Sequence, residues 1–194
     1  MSQLGFFFDA DSCIGCHSCQ VACKDVHRLE VGENFRHVTT YTTGSYPDVG
    51  MYHVSIACNH CVVPACLAVC PVGAISKDEE TGVVLIDKDA CIGCKTCISA
   101  CPYEQPVFLE KEGVVFKCDS CIHLRKNDEM PACVGTCPQR VLEFGDIDEL
   151  KAAHGGEELV ADIVVLPDSS RTMPSLAINV KPIMLETDYN EIYL

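Results

Sequence analysis

The sequence predicts a small α+β protein, built as one large domain or two small interleaved ones, whose interior is organised by more than apolar side chains. Three observations carry that expectation. The chain has 194 residues, 16 of them cysteine, and the hydrophobic share of 48% falls to about two-fifths once the cysteines are set aside. That is modest for a conventional core. There is no tryptophan, and much of the chain runs in short stretches between glycine, proline and cysteine. The formal charge is −14, from 14 basic and 28 acidic side chains. No basic stripe for a nucleic acid is present, so nucleic-acid binding is excluded. So acidic a surface favours a protein partner with basic or polar patches.

The cysteines fall into four groups. The first is Cys13, Cys16, Cys19 and Cys23. The second is Cys58, Cys61, Cys66 and Cys70, followed by Pro71. The third is Cys91, Cys94, Cys97 and Cys101, followed by Pro102. The fourth is Cys118, Cys121, Cys133 and Cys137, followed by Pro138. The first and third follow the run C-x2-C-x2-C-x3-C of bacterial iron–sulfur proteins. The second widens one gap to four residues and the fourth widens it to eleven, which a loop can absorb without moving three converging sulfurs. Disulfide frameworks spread their cysteines to staple loops, and zinc sites use paired C-x-x-C knuckles or include histidine. Clumped triplets with a fourth cysteine point instead to four [4Fe–4S] clusters. Four such clusters with their thiolates add a charge of roughly −8.

The repeat extends beyond cysteine: F-F-F-D-A-D-S-C-I-G-C, from Phe6, aligns with V-L-I-D-K-D-A-C-I-G-C, from Val84. Each copy leads a short apolar strand through acidic residues into a cluster loop. Gly15 and Gly93 stand where the backbone must curl and turn N–H groups toward sulfur. In two-cluster proteins the fourth cysteine of one motif serves the other cluster, because it opens a segment leading away from its own site. The second and third motifs are therefore expected to exchange their last cysteines. One cluster takes Cys58, Cys61, Cys66 and Cys101, and its neighbour takes Cys91, Cys94, Cys97 and Cys70. By the same logic Cys13, Cys16 and Cys19 join Cys137, while Cys118, Cys121 and Cys133 join Cys23. These sixteen fill every ligand position, so His17, His60 and His123 are expected to be loop or partner contacts. No residue is assigned a catalytic role: no glycine-rich nucleotide loop, Ser/His/Asp set or spare cysteine is present. Lys24, Lys95, Lys117, Arg125 and Arg140 lie near the motifs and are candidate tuners of cluster potential, Lys95 first, because it sits inside a cluster loop.

The remaining elements are short. Residues 71–87 read as a hairpin joining the second motif to the third. Residues 35–57 read as another, with Gly44 and Pro47-Asp48 as turn residues. Short helices should follow Cys19, Cys66, Cys97 and Cys121. Asp146 opens a capped helix that ends near Gly155. After Val160 three prolines and no helical period suggest an extended tail that wraps the domain or docks on a partner. The N-terminus lacks the basic and apolar regions of a signal peptide, and no apolar run spans a bilayer. The chain is therefore expected to fold in the cytoplasm without inserting into a membrane itself.

The order of the four motifs, the runs I-A-C-N-H-C-V-V-P-A-C and D-K-D-A-C-I-G-C-K-T-C, and the late G-D-I-D-E-L resemble the electron-transfer subunits of dimethyl sulfoxide reductase-type molybdoenzymes. That family includes the four-cluster small subunits of dimethyl sulfoxide, polysulfide and thiosulfate reductases. The resemblance covers nearly the whole chain. It implies two interleaved ferredoxin-like halves related by a pseudo-twofold. The outer half takes residues 1–57 and 103–159, the inner half takes residues 58–102, and residues 160–194 form the tail. It also implies a non-catalytic subunit that relays electrons between a membrane quinol-oxidising partner, or another donor, and a large catalytic subunit. The molybdopterin (molybdenum or tungsten) belongs to that partner only. In such relatives the cluster on Cys13, Cys16 and Cys19 lies nearest the catalytic subunit and the cluster on Cys91, Cys94 and Cys97 at the far end. Some relatives carry a [3Fe–4S] cluster in the third motif, but Cys94 is kept here, so four cubanes are expected. The expected location is the outer face of the cytoplasmic membrane, reached by export with a twin-arginine partner, with the cytoplasm as the alternative. A stand-alone polyferredoxin serving a soluble redox enzyme is the alternative function.

Overall fold

The computed structural model describes residues 2–192. In chain order the elements are β1 (Leu4–Asp9), α1 (Ser18–Val26), β2 (Arg36–Ser45), β3 (Asp48–Ala57), α2 (Ala65–Ala68), β4 (Ile75–Lys77) and β5 (Val84–Ile86). They continue with α3 (Thr96–Ala100), β6 (Val107–Leu109), β7 (Val114–Phe116), α4 (Ile122–Arg125), α5 (Ala132–Gly135), β8 (Leu142–Asp146), α6 (Ile147–Ala153), β9 (Leu176–Asn179) and β10 (Tyr189–Ile192). The result is a small mixed α/β protein with short helices and small sheets. No helix among the described residues is long and apolar enough to cross a membrane.

Strand β1 shows why these residues fold as they do. Aromatic side chains suit a pleated surface, and Phe6, Phe7 and Phe8 are all buried because β1 is the middle strand of the sheet β8-β1-β9. Alternation sends Phe6 and Phe8 into the main core. Phe7 points the other way, to Ile147 on α6 and Ala177 on β9. Helix α6 starts where expected: Asp146 Oδ1 accepts from the backbone N–H groups of Asp148 (3.0 Å) and Glu149 (3.2 Å).

Residues 36–57 form an antiparallel hairpin in continuous register, from Arg36 opposite Ala57 to Ser45 opposite Asp48. The turn falls at Tyr46-Pro47. Strands β4 and β5 form the short hairpin that joins the second motif to the third, with Ile75 opposite Ile86. The stretch after residue 160 is woven into both larger sheets. Strand β9 runs parallel to β1, and Asn179 Nδ2 donates to Asp9 Oδ1 at 2.7 Å. Strand β10 adds to the edge of β2, and Met184 between them is fully buried. Residues 193–194, the end of the expected tail, lie outside the described residues.

Helix positions follow one rule that spacing alone did not reveal. The third cysteine of every motif is the second residue of a helix: Cys19 in α1, Cys66 in α2, Cys97 in α3 and Cys133 in α5. Three of these helices were expected just after the cysteine and begin one residue before it. In the fourth motif the expected helix after Cys121 is present as α4. The eleven-residue gap leaves room for α5 as well, which the expectation omitted.

Candidate metal centres

Cysteine thiols are part of the main core. Cys19, Cys23, Cys58, Cys118, Cys133 and Cys137 pack among Phe6, Phe8, Phe35, Tyr52, Leu142 and Ile178. The loops that deliver the thiols are made by backbone conformation. Gly15 (φ 63°) and Gly93 (φ 66°) lie between the first two cysteines of their motifs, and His17 (φ 59°) and Lys95 (φ 64°) adopt the left-handed region just before α1 and α3. The two loops match in their hydrogen bonds too. Asp9 Oδ1 accepts from the Asp11 N–H at 3.2 Å, and Asp87 Oδ1 from the Asp89 N–H at 2.9 Å. Ser18 Oγ lies 3.4 Å from Cys16 Sγ, and Thr96 Oγ1 donates to Cys94 Sγ at 3.4 Å.

Three cavities open among these loops, each lined by four thiols. Cys58, Cys61, Cys66 and Cys101 line one with about 370 Å³ of space unfilled by protein atoms. Cys13, Cys16, Cys19 and Cys137 line a second of about 340 Å³. Cys70, Cys91, Cys94 and Cys97 line a third of about 320 Å³. In each, three cysteines come from one motif and the fourth from another. The remaining four, Cys23, Cys118, Cys121 and Cys133, are all buried and close enough for their charges to act on one another.

The electrostatics of the thiols follow from this packing. Burial pushes Cys66 up to about 12, and the neighbouring thiols of Cys58, Cys101 and Cys61 push the same way. Burial likewise raises Cys23 to about 12, opposed by Arg36 and reinforced by Cys133 and Cys121. Burial raises Cys97, with Cys91, Cys94 and Cys70 adding to it, and raises Cys13, with Cys19, Cys137 and Cys16 adding to it. The solvent-exposed Cys16 and Cys94 are shifted down, by the hydroxyls of Ser18 and Thr96. Four thiolates in one buried space repel one another and cannot all be ionised unless a cationic core sits among them. All-sulfur tetrads suit iron–sulfur clusters, so the donor set fits that group.

Of the candidate tuners, Lys117 is the buried one, 1% exposed. Its Nζ donates to the carbonyls of Val84 and of Cys118 (3.1 Å for the latter), and it lines the cavity of Cys58. Lys95 is exposed and lies 3.7 Å from the centre of the Phe108 ring. Lys24 donates to the Glu30 and Glu33 carbonyls, Arg125 to Ser120 O at 3.0 Å and Arg140 to Gly135 O at 3.0 Å. Each of the three holds its own loop. His60 was expected as a loop or partner contact, and its full burial leaves only the first role. Its Nδ1 accepts from the Val84 N–H at 3.2 Å, and burial, then the charge of Lys117, hold its pKa well below the ordinary histidine value.

Sequence reasoning missed three residues at these sites. His27 Nε2 lies 3.7 Å from Cys121 Sγ and 3.8 Å from Asp119 Oδ1. Ser55 Oγ lies 3.4 Å from Cys19 Sγ. Arg36, 1% exposed, reaches Ser55 Oγ with Nη1 at 3.1 Å. All three lie outside the cysteine motifs, where the sequence offers no mark of their burial.

Residues 49–147 match the 4Fe-4S dicluster domain family and residues 4–25 match a 4Fe-4S binding domain. The protein is 40% identical over 187 residues to an anaerobic dimethyl sulfoxide reductase chain of Haemophilus influenzae, with 92% of this sequence and 89% of that one covered. It is 42% identical over 185 residues to the chain of the same name in Escherichia coli, with 91% and 88% covered. It is 36% identical to a sulfite dehydrogenase subunit of Allochromatium vinosum over 170 residues, with 77% and 71% covered.

Proposed function

This protein belongs to the 4Fe–4S dicluster family, together with those chains of anaerobic dimethyl sulfoxide reductases, and from that premise we propose that it carries electrons through four [4Fe–4S] clusters. It is an iron–sulfur electron-transfer subunit of a dimethyl sulfoxide reductase-type complex. The cluster ligands proposed are Cys13, Cys16, Cys19 and Cys137; Cys118, Cys121, Cys133 and Cys23; Cys58, Cys61, Cys66 and Cys101; and Cys91, Cys94, Cys97 and Cys70. The observation that carries this is the convergence of three thiols from one motif with a fourth from a partner motif around a single cavity. The same exchange supports two interleaved halves related by a pseudo-twofold.

When bound, each cluster supplies a one-electron carrier. The protein's own residues do the rest. The core residues around Cys118 and Cys133 keep water from the fourth set. The N–H groups of Ser120 and Val115 donate to Cys118 Sγ and Cys91 Sγ, each at 3.4 Å, and such bonds favour a more negative sulfur. Cys16 and Cys94 come to the surface beside Ile14 (55% exposed) and Ile92 (63% exposed). These two exposed loops are the proposed points of electron entry and exit.

The proposed partners are a large molybdopterin catalytic subunit and a membrane subunit that oxidises quinol. The proposed location is the outer face of the cytoplasmic membrane, reached by export with a twin-arginine partner. The chain itself performs no bond chemistry on the substrate. The test is anaerobic purification of the complex. About sixteen iron and sixteen sulfide per chain are expected, with absorbance near 400 nm bleached by dithionite, and a pterin-bearing large subunit should co-purify. Abundant zinc without inorganic sulfide would sink the reading.

A further inference from the structure

We propose that Arg36 is the shared counterion of two cluster sites, the Cys13/Cys16/Cys19/Cys137 set and the Cys23/Cys118/Cys121/Cys133 set, and that it holds the potentials of both up. The inference rests on the four-cluster reading above and adds a residue that lies outside every cysteine motif.

Arg36 opens strand β2 opposite Ala57, and its side chain is among the largest fully buried ones in the molecule. A guanidinium has five donors and no way to shed its charge at ordinary pH. Here Nη1 reaches Ser55 Oγ at 3.1 Å and, more weakly, Ser55 O at 3.4 Å. Nε and Nη2 are buried and have no hydrogen-bond partner. Among the described residues no carboxylate pairs with Arg36. The face of Phe6 lies 4.7 Å from its guanidinium carbon, which adds a modest attraction.

A buried charge left in that state is strongly unfavourable, so something anionic must compensate it. The groups whose charge reaches Arg36 are thiols, Cys133, Cys118 and Cys23 from one set and Cys19 from the other. Cys19 is also tied to Arg36 through Ser55, whose Oγ lies 3.4 Å from Cys19 Sγ. The cation therefore stands at the junction of two sites and belongs to neither alone. Loaded with iron and sulfide, each set of four thiolates carries a charge of about −2 and takes up one electron from a reductant to reach about −3. A fixed positive charge favours the more negative state, so Arg36 raises the potential at both sites. Because the guanidinium is shielded from solvent, salt screens this effect little.

The experiment uses the full chain, purified anaerobically with its clusters and titrated with dithionite under EPR observation. Variants at Cys16 and Cys121 identify beforehand which two of the four one-electron steps belong to these sites. Arg36→Met removes the charge and both unpartnered N–H groups while keeping the apolar stem. Arg36→Lys keeps the charge and discards the fork. In the Met variant those two steps should become at least tenfold harder to reduce, about 59 mV each for a one-electron couple. The other two steps should stay in place, and the Lys variant should keep all four near their original values. A Met variant that loses iron from those two sites alone would equally support the counterion role. Four unmoved steps, an equal shift of all four, iron lost evenly from every site, or a Lys variant as altered as the Met variant would overturn it. The parent reading fails in a different way, through a wild-type chain holding far fewer than about sixteen iron atoms.

Discussion

The loop beginning at Cys13 and the loop beginning at Cys91 are near copies in backbone and in bonding, whereas the fourth set, around Cys118, resembles neither. Each of the two copies raises one cysteine into solvent, Cys16 or Cys94. The fourth set hides all four of its thiols, and a cation with no carboxylate partner among the described residues stands beside them. The difference teaches that a contiguous stretch of some eleven residues can specify an exposed cluster loop. A buried site has to be assembled from remote parts. Its sulfurs come from α1, α5 and the segment before α4, and its proposed counterion, shared with the Cys13 set, comes from β2.

The comparison breaks first where a thiol is removed. Cys118→Ser should empty the fourth site and cost about 3 kcal/mol or more, since a buried charge set loses its compensation. Cys94→Ser should cost one cluster or part of one and leave the rest of the molecule folded. Iron content together with thermal melting separates the two outcomes, and equal losses of stability would erase the distinction between exposed and buried sites.

A charge change comes next. Lys117→Met should lower the potentials of the Cys58 and Cys118 sites by a tenfold change in reduction equilibrium or more, about 59 mV per one-electron step. Lys95→Gln should change the Cys91 site by less than about threefold, because solvent screens an exposed charge. Redox titration of both variants decides it, and a larger effect from Lys95 would restore it as the leading tuner.

The two copied loops also differ in what lies against them. Gly93→Ala would bring a Cβ to 2.3 Å from the backbone oxygen of Gly113, while Gly15→Ala would meet the His53 ring at 2.4 Å. Both changes carry the left-handed penalty of about 1 kcal/mol. A ring can move at the expense of its 2.9 Å contact with Thr40, but a hairpin backbone yields less, so Gly93→Ala should melt at the lower temperature. The smallest effect is expected far from either kind of site. Bonds from Ser2 Oγ and then the Glu149 N–H hold the Asp146 carboxyl below its ordinary pKa. A lowered folded-state pKa stabilises above the unfolded value and the gain disappears as pH falls through it. Asp146→Ala should therefore melt slightly lower at pH 7, with the gap closing below about pH 4.

What the sequence made legible follows the same division. The cysteine runs, the Gly15 and Gly93 turns, both hairpins and the Asp146 cap depend on neighbours within a few residues, and the chain announces them. The grouping of a fourth cysteine with another motif's triplet, seen around three cavities, is what a general exchange rule for paired motifs leads one to expect. Helix α5 was not expected, because eleven residues between Cys121 and Cys133 disguise the repeat. Arg36 gave no sign either. In F-R-H-V-T-T it reads as a solvated strand residue, and only the packing of β2 against β3 and the thiols makes it interior. The pairing of β9 with β1 was equally hidden, since L-A-I-N names no partner and the partner lies near the opposite end of the chain.

That last pairing sets an order of construction. The ribosome releases Cys13, Cys16 and Cys19 early, yet the site they line is closed by Cys137 and supported by a strand whose neighbours, β8 and β9, are among the last segments made. Cys58 to Cys101 emerge as one continuous stretch, so all eight thiols of the two proposed middle sites are made before Cys137. The thiols of the two proposed sites in the middle of the chain are thus complete before those of the site at its beginning, which has to wait for the polypeptide to come back to it.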